Sequence, residues 1–409
     1  MRGPLRSALT AALGLAGVAC ASAAPAPVAP ARTEASSAPA VTLSPALASA
    51  PPPTPAASAA AGPAPALSAT AAPAPSPPAK ASADAPAALP ASNDGLARGT
   101  GEPADRELAL GDAAYDAEKY KEARAHFRKA EQLAPKDAAP KVGLVRVSVA
   151  EADLPLDYAA APRDPRIAGL LKQLDGALKL DADFGPALLE RGHLLLIQGK
   201  AEMAESSLVR AAELMPRHAE AQSAVGVALM ALGKAKESLP YFERAATLER
   251  DSPERLGNLG AAYLMQGRTG DAVTAFERAA QLAPNNARFQ SDLGTAHLAN
   301  NRLDRALPAL ERAVALDPQR ASYFANLSYA LQQAANLDRA VATAERATQL
   351  DPKLGSAWLN LGTARAKRGE LDQAEAAFKR AQALDPEDPR VKANLEELAE
   401  LRRKKSGPP

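Results

Sequence analysis

The sequence predicts an all-α chain, a row of helical hairpins packed side by side behind a long N-terminal segment that builds no core. Three observations predict it. Residue types recur at a fixed step of 34 through most of the chain. Within each step the apolar positions fall twice into helical spacing. The composition also divides, with Ala, Pro and Ser dominating from Ala21 to Thr100 and no Phe, Tyr or Trp before Tyr115.

The first element is an address. Arg2 and Arg6 precede an apolar run from Ala8 to Ala19 that stops at Cys20, the one cysteine of the 409 residues. A basic flank before a short apolar run reads as a secretory signal, since the run cannot cross a hydrocarbon core of about 30 Å. Cys20 at the end of that run, with small residues and a Pro-rich stretch after it, resembles a bacterial lipoprotein signal. The resemblance implies that residues 1–19 are removed and that Cys20 is diacylated, anchoring the chain to a membrane. By the same resemblance, Ala21 after the Cys implies the outer membrane. Gly17 departs from the pattern, which prefers Leu three residues before the Cys. A soluble periplasmic protein cut after Ala21-Ser22-Ala23 fits the same residues. Of the 48 Lys and Arg, loss of Arg2 and Arg6 leaves 46 against 47 Asp and Glu.

Residues 20–103 read as a disordered tether. Pro25 to Pro90 holds 17 of the 36 prolines, and missing N–H donors with few large apolar groups cannot offset the entropy of folding. Ala–Pro alternation such as Ala61-Gly62-Pro63-Ala64-Pro65 favours extended polyproline II conformations. Reach away from the membrane is the role such a segment suits.

Residues 104–388 divide into eight units: 104–137, 138–184, 185–218, 219–252, 253–286, 287–320, 321–354 and 355–388. Pro284, Pro318, Pro352 and Pro386 stand 34 apart, as do Gly192, Gly226, Gly260, Gly294, Ser328 and Gly362. Ala211, Ala245, Ala279, Ala313, Ala347 and Ala381 form a third column, and Leu208, Phe242, Phe276, Leu310, Ala344 and Phe378 a fourth. In the unit at Pro253, the positions Leu256, Leu259, Gly260 and Tyr263 make one helical face. Gln266-Gly267-Arg268 ends that helix, and Ala272, Val273, Phe276, Ala279 and Ala280 define a second. Pro284 closes it, having no N–H to donate. The small residues Gly260, Ala272 and Ala279 mark close helix approach. The second unit carries 13 extra residues around Leu154 to Arg166; its first helix reads poorly and its second, with Leu170, Leu171, Leu174, Ala177 and Leu180, reads well. Val391, Leu395, Leu398 and Leu401 place a capping helix at 389–405, before a tail at 406–409. A polar-faced cap is what a solenoid needs for solubility.

These columns resemble the tetratricopeptide repeat, whose pattern is Trp-x2-Leu-Gly-x2-Tyr, Ala-x3-Phe and Pro over 34 residues. Trp358, Leu361, Gly362, Gly369, Ala374, Phe378, Ala381 and Pro386 carry the likeness most fully. The resemblance implies a right-handed superhelix whose concave groove is built by the first helices and binds a partner peptide or loop. Asn258, Asp292, Asn326, Asn360 and, in the cap, Asn394 stand 34 apart just before the Leu-Gly position. By the resemblance, an amide here pairs with an extended peptide backbone, since it offers both a donor and an acceptor. Leu196, Met230, Leu264 and Leu298 recur beside it and suggest an apolar strip. Both columns also fit a structural role between helices, the reading the general repeat pattern favours.

Enzymatic readings find no support. His126, His193, His218 and His297 fall in different units without metal-ligand spacing, and one Cys excludes a Cys-based zinc site. Gly99-Thr100-Gly101 precedes no strand and is no phosphate loop. Near-neutral charge gives no reason to expect nucleic acid. No cofactor, metal or small-molecule substrate is expected. The function expected is a non-catalytic scaffold for a multiprotein assembly of the bacterial envelope, such as secretion or gliding-motility machinery. An accessory subunit of a glycan- or peptidoglycan-processing enzyme and a chaperone for exported polypeptides are the alternatives.

Overall fold

The computed structural model describes residues 95–152, 154 and 161–406; the leader, Cys20 and nearly all of the Ala/Pro segment lie outside these residues. The described residues hold 17 α-helices and no strand. They form eight hairpins: α1 (Pro103–Asp116) with α2 (Tyr120–Leu133), α3 (Ala139–Glu151) with α4 (Pro165–Leu180), and α5 (Gly185–Ile197) with α6 (Ala201–Leu214). There follow α7 (Ala219–Ala231) with α8 (Ala235–Leu248), α9 (Pro253–Met265) with α10 (Thr269–Leu282), and α11 (Ala287–Ala299) with α12 (Leu303–Leu316). The last are α13 (Ala321–Gln333) with α14 (Leu337–Leu350) and α15 (Gly355–Lys367) with α16 (Leu371–Leu384), before the terminal α17 (Pro389–Ser406). None of these helices is long and apolar enough to cross a membrane.

Local sequence sets the helix ends. Pro occupies the first turn of α1, α3, α4, α5 and α9, where its missing N–H is not needed. Side chains of Asp164, Ser252, Asn286 and Asn336 accept from backbone N–H groups in the first turns of α4, α9, α11 and α14. The turn inside each regular hairpin needs a left-handed residue. Gly199, Gly233, Gly267 and Gly369 supply it, with φ between 73° and 85°. Glu118, Asn301 and Ala335 take the same conformation at φ 56–59° despite their Cβ atoms.

The hairpins close through a small residue facing a large one. A Cβ on Gly226, Gly260 or Gly362 would stand 2.7, 2.8 and 2.5 Å from the rings of Phe242, Phe276 and Phe378, and one on Gly192 or Gly294 would meet Leu208 or Leu310 at 2.3 and 2.6 Å. Ala272 and Ala279 are fully buried at the same joint, as the close approach requires. The α13–α14 hairpin reverses the pairing: Ser328 replaces the Gly, Ala344 replaces the ring, and Ser328 Oγ donates 2.8 Å to the Ala340 carbonyl.

Each second helix packs against the first helix that follows it, so the row has no gap. Successive first helices also pack against one another along the row, from α1 through α17, whereas second helices make no comparable contact with each other. The first helices therefore lie closer together and form the inner side. The core is correspondingly split into clusters spaced along the row.

Two readings of the sequence change. α3 is a full 13-residue helix; it reads poorly in the sequence because Val145, Val147 and Val149 alternate in a strand-like period, and all are buried. The core also begins before residue 103, since Leu96 is 2% exposed within the cluster that holds Leu108 and Tyr115. Part of the insertion, residues 153 and 155–160, lies outside the described residues; beyond it Ala161 N–H donates to the Ile197 carbonyl at 3.1 Å.

Candidate binding face

The inner face is built from one stripe of each first helix, at i, i+4, i+7 and i+11. In α11 the stripe reads Arg288, Asp292, Thr295, Ala299; in α13, Ser322, Asn326, Tyr329, Gln333; in α15, Ser356, Asn360, Thr363, Lys367. Gln333 is exposed, and Arg288, Ser322, Tyr329, Ser356 and Lys367 are half-buried. The C-terminal part of the face is thus hydroxyl- and amide-rich with a few cations. Burial lowers the Lys367 pKa from its usual value, against an opposing pull from Glu397.

The Asn column sits in this stripe as a tie between neighbours. Asn258 Nδ2 donates to Ser223 Oγ at 3.1 Å, Asn326 Nδ2 to Ser291 Oγ at 3.2 Å, and Asn360 Nδ2 to the Ala325 carbonyl at 2.9 Å. Each bond joins a first helix to the one before it. In α17, Asn394 Nδ2 turns back to the Arg390 carbonyl at 2.8 Å. Asp292 has no proton to give. The residue that would face it is Gly257, with no side chain, and its Oδ2 is buried without a hydrogen-bond partner. Arg288 Nε lies 3.4 Å away along the same helix. Burial, little relieved by Arg288, raises the Asp292 pKa from 3.8 to about 6.

The apolar column lies elsewhere. Leu196, Met230 and Leu264 are buried in the core clusters, and Leu298 is half-buried against Leu310 and its neighbours. Each falls four residues after Gly192, Gly226, Gly260 or Gly294, so it shares the side of the helix that meets its hairpin partner. These four residues do not form an open strip beside the amides.

A chain of buried charges occupies the N-terminal part of the face. Arg146 Nε meets Glu190 Oε1 at 2.6 Å, His193 lies 3.8 Å from Glu190 and 3.2 Å from Glu220, and Arg255 Nη2 meets Glu220 Oε2 at 2.6 Å. Arg255 Nε also meets Glu249 Oε2 at 2.9 Å. Four first helices, α3, α5, α7 and α9, are joined this way. Burial works against every charge here, and the opposite charges outweigh it: Glu190 and Glu220 hold the His193 pKa up at about 9, and Arg146 and His193 hold Glu190 down at about 2. The Glu220 oxygens and Arg255 Nη1 have no aligned hydrogen bond, while His193 and Arg255 hold Glu220 at ion-pair distance from both sides. Of these residues the sequence singles out only His193, as a histidine without metal-ligand spacing. The signal was Asp112, Arg146 and His193 in one column, the last two 47 apart across the insertion.

The other histidines are structural. His126 Nδ1 stands 2.8 Å from Glu107 Oε2, His218 Nδ1 accepts from Ala221 N–H at 3.2 Å to cap α7, and His297 is buried. The described residues contain no group of three or more His, Cys, Asp or Glu placed to hold a metal ion.

At the N-terminal end, residues Leu96–Gly101 run across the face of α1. Leu96 and Ala97 N–H groups donate to Asp112 Oδ2 at 2.5 and 3.1 Å, and Arg98 and Thr100 N–H groups donate to Asp105 at 2.6 and 2.7 Å. The Arg98 guanidinium forks onto Asp137 at 2.7 and 2.9 Å and lies 5.5 Å from the Phe184 ring centroid. Gly99 and Gly101, at φ +71° and +75°, let the segment turn into α1.

Four models of the tetratricopeptide repeat match the chain, over residues 108–137, 217–285, 263–328 and 326–389. A chain of the APC/C hetero-tetramer Cut9-Hcn1 superposes with a TM-score of 0.55 at 13% identity, covering 72% of this chain and 56% of that one. The chain thus spans little more than half the length of that relative. A tetratricopeptide repeat protein from Parabacteroides merdae superposes with a TM-score of 0.51 at 14% identity, over 64% of this chain and 98% of its own. Both likenesses are of fold. Comparison with curated proteins yields no match.

Proposed function

From the premise that this chain is a tetratricopeptide-repeat protein and, as such, a protein-interaction scaffold, we propose that it is a non-catalytic platform of the bacterial envelope. It binds a peptide or loop of a partner protein along the inner face of α11, α13 and α15. The observation that carries this reading is the stripe Ser322–Asn326–Tyr329–Gln333 repeated as Ser356–Asn360–Thr363–Lys367. The hydroxyl and amide side chains there offer hydrogen bonds to a backbone without selecting by charge, and Lys367 adds one cation at the end. Asn326 and Asn360, bonded to Ser291 and Ala325, fix the spacing of the helices that present it. Leu298 packs behind α11, while Leu196, Met230 and Leu264 fill the core behind α5, α7 and α9.

The envelope placement rests on the leader. Arg2, Arg6, the apolar run and Cys20 followed by Ala21 support a lipidated N-terminus in the outer membrane, and the Ala/Pro segment supports a tether that holds the array clear of the bilayer. Metabolic labelling with a fatty acid checks the anchor, which Cys20→Ser abolishes.

Crosslinked pull-down from membranes tests the platform. One stable partner, lost on Gln333→Glu with Lys367→Glu while the melting curve stays in place, is the expected result. Asn326→Ala with Asn360→Ala separates contact from spacing, because loss of stability with the partner retained removes the amides from the ligand side. Many transient partners would instead favour a chaperone, and co-purified hydrolase activity an accessory subunit.

A further inference from the structure

The segment before α1 is held as an extended ligand is held. Four consecutive features of it are recognised by different parts of the array. Leu96 is buried among Leu108, Tyr115 and the core of the first units. The N–H groups of Leu96 and Ala97 converge on one carboxylate oxygen of Asp112, and those of Arg98 and Thr100 span both oxygens of Asp105. The Arg98 guanidinium reaches the loop after α2, forking onto Asp137, and covers the Phe184 ring at the start of α5. Two carboxylates reading backbone N–H groups, an apolar socket and an acidic–aromatic socket for a guanidinium make a site for a short extended peptide.

We infer that the inner face of the first units is a second peptide-binding site, for a partner segment with the pattern Leu-x-Arg, and that residues 95–100 fill it in the resting chain as an internal pseudo-ligand. The inference rests on the reading of the array as a peptide-binding platform and adds a site, its ligand chemistry and its control. The Arg98 side chain is 45% exposed, so the outer half of the contact is screened and exchangeable. Gly99 and Gly101 form the hinge on which the segment swings out. Asp112 faces Arg146 closely enough to add, with Glu190, to the charges that keep it protonated against burial. Occupation of the site therefore touches the first member of the buried charge chain that runs to α9.

A fluorescein-labelled peptide Gly-Leu-Ala-Arg-Gly-Thr-Gly-Glu, the sequence of residues 95–102, tests this by anisotropy against the full chain. The wild-type chain should bind it at least tenfold more weakly than a chain carrying Leu96→Ser and Arg98→Ala, whose own segment is released. A peptide with its Leu and Arg replaced by Ser and Ala should not bind, and Asp137→Asn in the released chain should lose binding at least tenfold. Equal binding of both peptides to the released chain overturns the inference, as does binding of neither. A concentration-dependent dimer of the released chain that binds no added peptide also overturns it. Hydrogen exchange on the wild-type chain does not depend on the variant folding: excess peptide should speed exchange of the Leu96–Thr100 amides, and unchanged exchange at saturating peptide counts against displacement. Partner capture at Gln333 and Lys367 is a separate readout. If it holds while the peptide fails, the platform stands without the pseudo-ligand; if it fails while the peptide binds, the reverse is true.

Discussion

Asp292 is the one member of its column that cannot do what its neighbours do, and replacing it with Asn should stabilise the array. Asn258, Asn326 and Asn360 each donate an amide proton to the preceding first helix; Asp292 instead buries a carboxylate with an unmet Oδ2. Its pKa rises from 3.8 to about 6, so the folded chain holds the proton more tightly than the unfolded chain does. Stability then falls as pH rises through that window, the reverse of a paired carboxylate. At about 1.4 kcal/mol per unit, the shift corresponds to roughly 3 kcal/mol at pH 7.5 and about 1 kcal/mol at pH 4.5. Asp292→Asn removes this cost and allows a bond to the Gly257 carbonyl like that of Asn360 to Ala325. Loss of the Arg288 contact offsets little, since that pair is neither short nor sealed from water. Urea unfolding of the full chain at the two pH values is the assay. A gain at pH 7.5 that shrinks severalfold at pH 4.5 is expected. A pH-independent gain, or a loss, refutes the claim that an orphaned charge limits stability here.

Three further outcomes follow from the same geometry. His193→Leu removes the cation between Glu190 and Glu220, leaving each carboxylate only its arginine, Arg146 or Arg255, and should cost roughly 3 kcal/mol at neutral pH; in the wild type the His193 contribution is complete below pH about 6.5 and is lost as pH climbs through about 9, a fall that urea midpoints should show and the variant should lack. Gly260→Val drives a side chain into the Phe276 ring, 2.8 Å from where its Cβ would stand, and should lower stability by about 1–3 kcal/mol, read by thermal melting. Ala335→Gly relieves a Cβ held at φ 57° and should raise stability by roughly 0.5–1 kcal/mol, whereas Ala335→Val should lower it.

The fold was legible because it is periodic. Gly260 and Phe276, or Gly362 and Phe378, repeat a small–large pairing whose step reports hairpin length directly, and the caps and turn glycines agree with it. What escaped lacked a period. α3 is buried on several sides, so its valines show no amphipathic stripe, and the 13-residue insertion hides the alignment of Arg146 with His193. Leu96 and Arg98 belong to a short Gly-containing segment next to the Ala/Pro stretch that has no helical period of its own, and only their contacts with Asp112 and Asp137 mark them as part of the fold. The stripe of candidate site residues was partly visible. Position in the repeat identified the Asn column, but not that its donors already face Ser223, Ser291 and Ala325, because hydrogen-bond direction is set by helix spacing.

One hairpin has a non-glycine turn, as α1–α2 and α11–α12 also do, and is alone among the regular hairpins in having no glycine at its joint. Between α13 and α14 the turn is made by Ala335 rather than glycine, and the joint is closed by Ser328 and Ala344 rather than by a ring lodged against a bare backbone. In a linear array each member stands by its own stability and its two borders. A member that carries backbone strain and a lighter joint leans on its borders, with α12 on one side and α15 on the other. Under tension or heat the array therefore parts here first, and the stripe on α15, with Lys367, separates from that on α11 as a unit. The proposed partner site straddles this joint. A partner gripping both sides would act as a splint, and its binding would register as protection of α13 and α14 from exchange even at residues it never touches.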